Sequence, residues 1–149
     1  MGRSAITEPQ MRAVAQPSRL VTPMAPPRAR QCLIVDDSRV VRKVSRSIVE
    51  KHGYQVIEAE NGAEALERCR AAMPDLVLLD WDMPVMTGLE FIKALRAIES
   101  ALQPKAMFCT SKSGAHDIHL GISAGADEYI TKPFDEATMT AKLLSLGAI

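Results

Sequence analysis

The chain has 149 residues, enough for one domain that buries about two thirds of its unfolded surface and too few for a second of ordinary size. Its 18 basic and 18 acidic residues balance overall but not locally: five Arg and one Glu give residues 1–30 a charge of +4, and the remainder carries −4. A mildly acidic body argues against nucleic acid as the main partner, and no apolar stretch approaches the roughly 20 residues a membrane span needs.

Residues 1–30 hold Pro9, Pro17, Pro23, Pro26 and Pro27 and show no sustained apolar period, so they are expected to form a disordered arm ahead of a domain at 31–149. The arginines of the arm fit an organelle transit peptide or a tether to an anionic surface; a tail without function, or a true start at Met24, fits them better. Cys32, Cys69 and Cys109 stand singly in apolar surroundings without metal-ligand spacing, as reduced core thiols of a cytoplasmic protein would.

From Gln31 onward strands and helices alternate. The run Cys32-Leu33-Ile34-Val35 predicts a buried strand that ends in Asp36-Asp37. A helix follows from Ser38 to Lys51, with Val40, Val41, Val44 and Ile48 as its expected apolar stripe and Gly53 as its left-handed stop. Arg39, Arg42, Lys43 and Arg46 are expected on its outer face, either as an ordinary solvated face or as a docking surface for an acidic partner helix. Gln55 to Ala59 predicts a second strand, and Asn61-Gly62-Ala63-Glu64 opens a helix that points Leu66 and Cys69 inward. After Pro74 the run Leu76-Val77-Leu78-Leu79 delivers Asp80 into the loop Trp81-Asp82-Met83-Pro84. Thr87-Gly88-Leu89-Glu90 is a capping box, and Leu89, Ile92, Leu95 and Ile98 continue it at helical spacing. A fourth strand from Ala106 ends at Thr110, and Ser113 is the expected cap of a helix running to Gly125. Glu128 to Thr131 predicts a fifth strand, Lys132-Pro133 a turn, and Asp135 the cap of a last helix with Met139, Leu143 and Leu146 facing inward.

Five βα units in succession predict an α/β fold, a doubly wound parallel sheet with helices on both faces and right-handed crossovers. Ligands of such sheets sit at the carboxyl ends of the strands, where Asp36, Asp37, Asp80, Thr110 and Lys132 would meet. Like charges 4 Å apart repel by about 1 kcal/mol in water and about 4 kcal/mol at an effective dielectric of 20, so three carboxylates there call for a cation. Hard oxygen donors with room for water suit Mg²⁺. A carboxylate can also attack a phosphoryl group, with a hydroxyl from Thr110 and an ammonium from Lys132 to stabilise the transferred oxygens.

Four stretches in this order, LIVDDSRVVRK, LVLLDWDMPVMTGLEF, FCTS and AGADEYITKPF, resemble the receiver domain of two-component response regulators, specifically its single-domain, chemotaxis-type members. The resemblance spans residues 31–149 and implies a flavodoxin-like sheet of strand order 2-1-3-4-5 with five helices. It implies that Asp80 is the phosphoacceptor, that Asp36 and Asp37 hold Mg²⁺ with Asp80 and the backbone carbonyl of Asp82, and that Thr110 and Lys132 contact the phosphoryl group. Tyr129 would swing inward as Thr110 moves, and Lys132-Pro133 would be a cis peptide. The implied partners are a histidine kinase or phosphotransfer protein and a downstream target that reads a face including His119, Tyr129 and Lys142. A chain ending at Ile149 without an output domain would be a cytoplasmic monomer, no enzyme toward other substrates but assisting its own phosphorylation and dephosphorylation. Asp82 and Lys112 are expected to pair across the mouth of the site and tune the lifetime of the phosphorylated state.

Two other readings stay open. One is a degenerate receiver that only binds partners, although its expected mark, a lost acceptor or lysine, is missing. The other is a haloacid-dehalogenase-type phosphatase with Asp80 as nucleophile and Asp82 as general acid and base; Pro84 stands where that motif has Thr or Val, and that chemistry has no need of Asp36-Asp37. His116 and His119, three apart on one helix, lack a third ligand and are expected to be surface histidines.

Overall fold

The computed structural model describes residues 28–149. Among them run β1 (Gln31–Val35), α1 (Arg39–Glu50), β2 (Gln55–Ala59), α2 (Gly62–Ala71), β3 (Leu76–Leu79), α3 (Gly88–Ala97), β4 (Lys105–Thr110), α4 (Ala115–Ala124), β5 (Glu128–Thr131) and α5 (Glu136–Leu146). All strand pairs are parallel, and the order across the sheet is β2-β1-β3-β4-β5, as expected. The period of two along each strand divides the core. Leu33, Val35, Val77, Leu79 and Phe108 face α2, α3 and α4, while Cys32, Ile34, Leu78, Met107 and Cys109 face α1 and α5. Full burial of a large apolar side chain contributes about 1.5–3 kcal/mol, so the central strands anchor both layers. The three cysteines are buried and unbonded, as their surroundings suggested.

Local signals placed most helix starts. Ser38, Asn61 and Asp135 accept from the backbone amides of Val41, Glu64 and Thr138, and Thr87 with Glu90 forms the full capping box. The Lys132-Pro133 peptide is cis. At α4 the expected cap is displaced: the helix begins after Gly114, which makes no side-chain cap bond, because Ser113 stands one residue too early for its hydroxyl to reach the first free amides. The expected arm lies outside the described residues as far as residue 27. Its last residues lie against the body. Arg28 pairs with Asp75 at 3.1 Å, and Arg30 donates to the Ala148 carbonyl at 2.7 Å while lying 4.6 Å from the centre of the Tyr54 ring.

The expected inner face of α1 is right at Ile48, which is buried, and wrong at Val40 and Val44. Val40 and Val44 are 72% and 47% exposed, and the side that packs inward carries Arg42, Ser45, Ile48 and Val49. A buried guanidinium is tolerable only with its donors met, and Arg42 has two acceptors. It donates to Glu58 Oε1 of β2 and to the backbone carbonyl of Asp36, both at 2.7 Å.

The loop after β3 is held against the sheet at Gly88, whose amide donates to the Trp81 carbonyl at 2.8 Å. A Cβ added at Gly88 would lie 2.1 Å from the Asp80 carbonyl oxygen and 2.9 Å from Phe108, so only glycine permits this approach. Gly88→Ala should therefore lower stability by about 1–3 kcal/mol or more, seen as a lower urea midpoint at unchanged slope.

Candidate functional site

The carboxyl ends of β1, β3, β4 and β5 bring the expected residues together. Asp36, Asp37 and Asp80 each offer an oxygen, and these atoms all lie within 4.8 Å of one another. Asp36 and Asp80 are 2% and 7% exposed, whereas Asp37 faces solvent. Charge so far from water needs partners, and the structure answers with one ammonium. Lys132 Nζ donates to Asp36 Oδ2 at 2.8 Å and stands 3.7 Å from Asp80 Oδ1. The backbone of the following turn supplies the rest: Ser38 N–H donates to Asp36 Oδ1 at 2.9 Å and Trp81 N–H to Asp80 Oδ1 at 2.8 Å.

The balance is incomplete. Burial pushes the Asp80 carboxyl above its ordinary range and the Asp36 charge pushes it further, with Lys132 and the Trp81 amide only partly offsetting them. Burial pulls the Lys132 ammonium down, but the hydrogen bond and charge of Asp36 outweigh it and hold the group above its ordinary value. Three carboxylates against one ammonium, all with hard oxygen donors, fit a divalent cation of the Mg²⁺ type.

Thr110 is fully buried at the end of β4, opposite Thr131 of β5, and its Oγ1 accepts from the Lys112 amide at 3.3 Å. Tyr129, expected to move between outward and inward positions, is recorded inward. Its hydroxyl donates to the Lys112 carbonyl at 2.8 Å, and its ring centre lies 5.9 Å from that of Phe108, which lies 5.2 Å from that of Trp81. An aromatic row thus runs from beside Asp80 to β5. The Lys112 ammonium stands 3.9 Å from the Asp82 carboxylate and 5.7 Å from the centre of the Trp81 ring. His116 and His119 are exposed on α4. Sequence reasoning missed Arg42, which it placed outward. The available signal was Glu58, an acid in the middle of a strand, within reach of one buried base.

The model of the response regulator receiver domain family matches residues 32–144. PhoB of Klebsiella pneumoniae, a phosphate regulon transcriptional regulatory protein, is 35% identical over 115 residues, 77% of this chain and 50% of PhoB. The chain therefore spans about half the length of that relative. The chemotaxis protein CheY of Halobacterium salinarum is 37% identical over 111 residues, 74% of this chain and 91% of CheY. Among solved structures, the chemotaxis response regulator CheY4 of Vibrio cholerae superposes with a TM-score of 0.74 at 31% identity, covering 80% of this chain and 99% of CheY4.

The raised Asp80 carboxyl has a consequence for stability. Because its folded value exceeds the ordinary 3.8, the folded state holds this proton more tightly than the unfolded state. Stability then falls as pH rises through the interval between the two values, and stays lower above it. In chelator, Asp80→Asn should be more stable than the parent at pH 7, and the difference should vanish below about pH 3.8, as read by denaturant unfolding across that range.

Proposed function

Because the chain belongs to the response regulator receiver domain family, we propose that it accepts a phosphoryl group on Asp80 from a histidine kinase or phosphotransfer protein and signals through phosphorylation-dependent binding of a target protein. The observation that carries this reading is the convergence of Asp36, Asp37, Asp80 and Lys132 at the carboxyl ends of the strands. Asp36, Asp37, Asp80 and the backbone carbonyl of Asp82 would hold Mg²⁺. Bound there, it would neutralise charge on the transferred phosphoryl oxygens.

Asp80 Oδ1 is engaged by the Trp81 amide, and among the described residues Oδ2 accepts no hydrogen bond, so Oδ2 is the attacking atom. It forms the new bond to phosphorus as the bond from phosphorus to the donor's imidazole nitrogen breaks, leaving an aspartyl phosphate and a neutral or protonated imidazole. Lys132 Nζ, 3.7 Å from the acceptor, is in reach of a phosphoryl oxygen, and the Thr110 hydroxyl supplies a second donor. The exposed valines of α1 support the approach of the donor protein. Val40, Val41 and Val44 line an apolar groove of about 390 Å³ with Ser111, Lys132, Pro133 and Phe134, flanked by exposed Arg39 and Lys43, which suits a helix with an apolar ridge and acidic neighbours.

The added phosphate brings roughly −1.5 to −2 charges. Thr110 moves toward it, Tyr129 is retained inward, and the face formed by α4, β5 and α5, with His119, Tyr129 and Lys142, takes the form that the target reads. The protein works in this reading as a cytoplasmic monomer. It catalyses only its own phosphorylation and dephosphorylation. A phosphatase of the haloacid-dehalogenase type would need Asp82 over the leaving group, whereas the Asp82 side chain is 68% exposed and drawn toward Lys112.

Asp80→Asn should lose all labelling by acetyl phosphate or a phosphorylated kinase. Full labelling of that variant would refute the assignment, and sustained turnover of p-nitrophenyl phosphate by the parent would put the phosphatase in its place.

The Asp82 and Lys112 pair bears on the lifetime of the product, since hydrolysis needs a water in line with the acyl phosphate bond. An exposed pair contributes at most about 1 kcal/mol, which corresponds to roughly a fivefold change in rate. Lys112→Ala should raise the autodephosphorylation rate by a few fold, and Asp82→Asn should add less on that background than alone. Additive effects in this double-mutant cycle would show two independent side chains.

A further inference from the structure

α1 buries one cation that the reaction does not use. Arg42 is 8% exposed, and its Nη1 donates to the backbone carbonyl of Asp36 at 2.7 Å while its Nε donates to Glu58 Oε1 at 2.7 Å. Glu58 is itself fixed, because its second oxygen accepts from Arg46 Nη1 at 2.7 Å. The two arginines outweigh the burial that would otherwise raise the Glu58 carboxyl, and hold it below its ordinary range.

Every polar atom of Asp36 is engaged. Its amide donates to the Ala59 carbonyl at 3.1 Å, its carbonyl accepts from Arg42, and its two carboxylate oxygens accept from Ser38 and Lys132. Asp37 is the opposite case. It is exposed, and among the described residues no hydrogen bond or ion pair holds its carboxylate, yet that carboxylate is one of the three that meet within 4.8 Å. What fixes it is the peptide behind it. The carbonyl carbon and oxygen of Asp36 and the nitrogen and Cα of Asp37 lie in one plane, so a grip on the oxygen sets where the Asp37 Cα stands, the point from which its side chain starts.

We propose that Arg42 is a positioning residue for the divalent-cation site, acting on Asp37 through the Asp36–Asp37 peptide, with Glu58 holding the guanidinium in place. The inference rests on the metal reading under the proposed function and adds a residue that touches neither the cation nor the phosphoryl group. Groups of this kind, one bond behind a ligand, change metal affinity by about 10–100-fold when removed. Arg rather than Lys suits the place, because one planar fork reaches a carbonyl and a carboxylate at once.

The test is Mg²⁺ titration of the fluorescence of Trp81, the single tryptophan, next to Asp80, with folding checked by circular dichroism. The parent should respond with saturation, and Asp37→Asn should bind more weakly. Arg42→Met should weaken binding by about 10–100-fold. The double variant Arg42→Met with Glu58→Leu, which removes both members of the pair and leaves Arg46 its second partner, Glu50, should weaken it as much. On the Asp37→Asn background Arg42→Met should add little, the result that a general loosening of the fold would not give. Parental affinity in folded Arg42→Met, or a full additional loss on the Asp37→Asn background, would overturn the proposal and leave the metal reading standing. Should Arg42→Met not fold, the double variant decides, with parental affinity overturning the proposal. No response from the parent would overturn the metal reading and this inference with it.

Discussion

Two carboxylates lie nearly out of water, a third stands beside them, and one ammonium stands against the first two. At an effective dielectric of 20 a pair of like charges 4 Å apart costs about 4 kcal/mol, which a single lysine meets only in part. The rest of the structure can be understood from that imbalance. It explains why Lys132 leans on Asp36 more closely than on Asp80, at 2.8 Å against 3.7 Å, and why Asp80 is the carboxyl left proton-hungry. A site in this condition gains from any divalent cation that enters. A phosphoryl group would replace one carboxylate charge with a more highly charged anion at the same place.

The fold tolerates the imbalance because the charges sit on rigid supports. β1 and β3 are buried on both faces and pair directly, with Val35 opposite Leu79, so the residues that follow them leave the sheet side by side. Gly88 draws the loop after β3 back onto its own strand, and the capping box of α3 fixes the far end. On the other side Arg42 and Glu58 tie the first turn of α1 to β2. The site is thus braced from two directions, by a close backbone approach and by a half-buried ion pair.

Its two exits differ in character. Toward α1 lies a surface of exposed valines with basic neighbours. Toward β5 runs a buried row of rings, Trp81, Phe108 and Tyr129, ending in a hydroxyl bound to the Lys112 backbone. Neighbouring rings in this row are tilted by 32° and 48°, so the three side chains pack as one continuous buried unit between the loop after β3 and β5. Lys112 joins both regions, its carbonyl on Tyr129 and its ammonium over Trp81 and near Asp82.

The strand ends could be found from residues alone. A run of β-formers buried on both faces has no place for a solvated charge, and Asp36, Asp80 and Lys132 each follow the end of such a run. The caps Ser38, Asn61, Thr87 and Asp135 were legible for a similar reason, since each acts on an amide three residues away. The inner face of α1 was not. Val40, Val41, Val44 and Ile48 satisfy a helical period as well as Arg42, Ser45, Ile48 and Val49 do, and the choice between them was made by Glu58, sixteen residues away on another strand. The same holds for Arg30, bound to a carbonyl 118 residues later, and for Tyr129, placed by the Lys112 backbone. Local hydrogen bonds and burial patterns are written in neighbouring residues, whereas a buried charge goes wherever folding brings its partner.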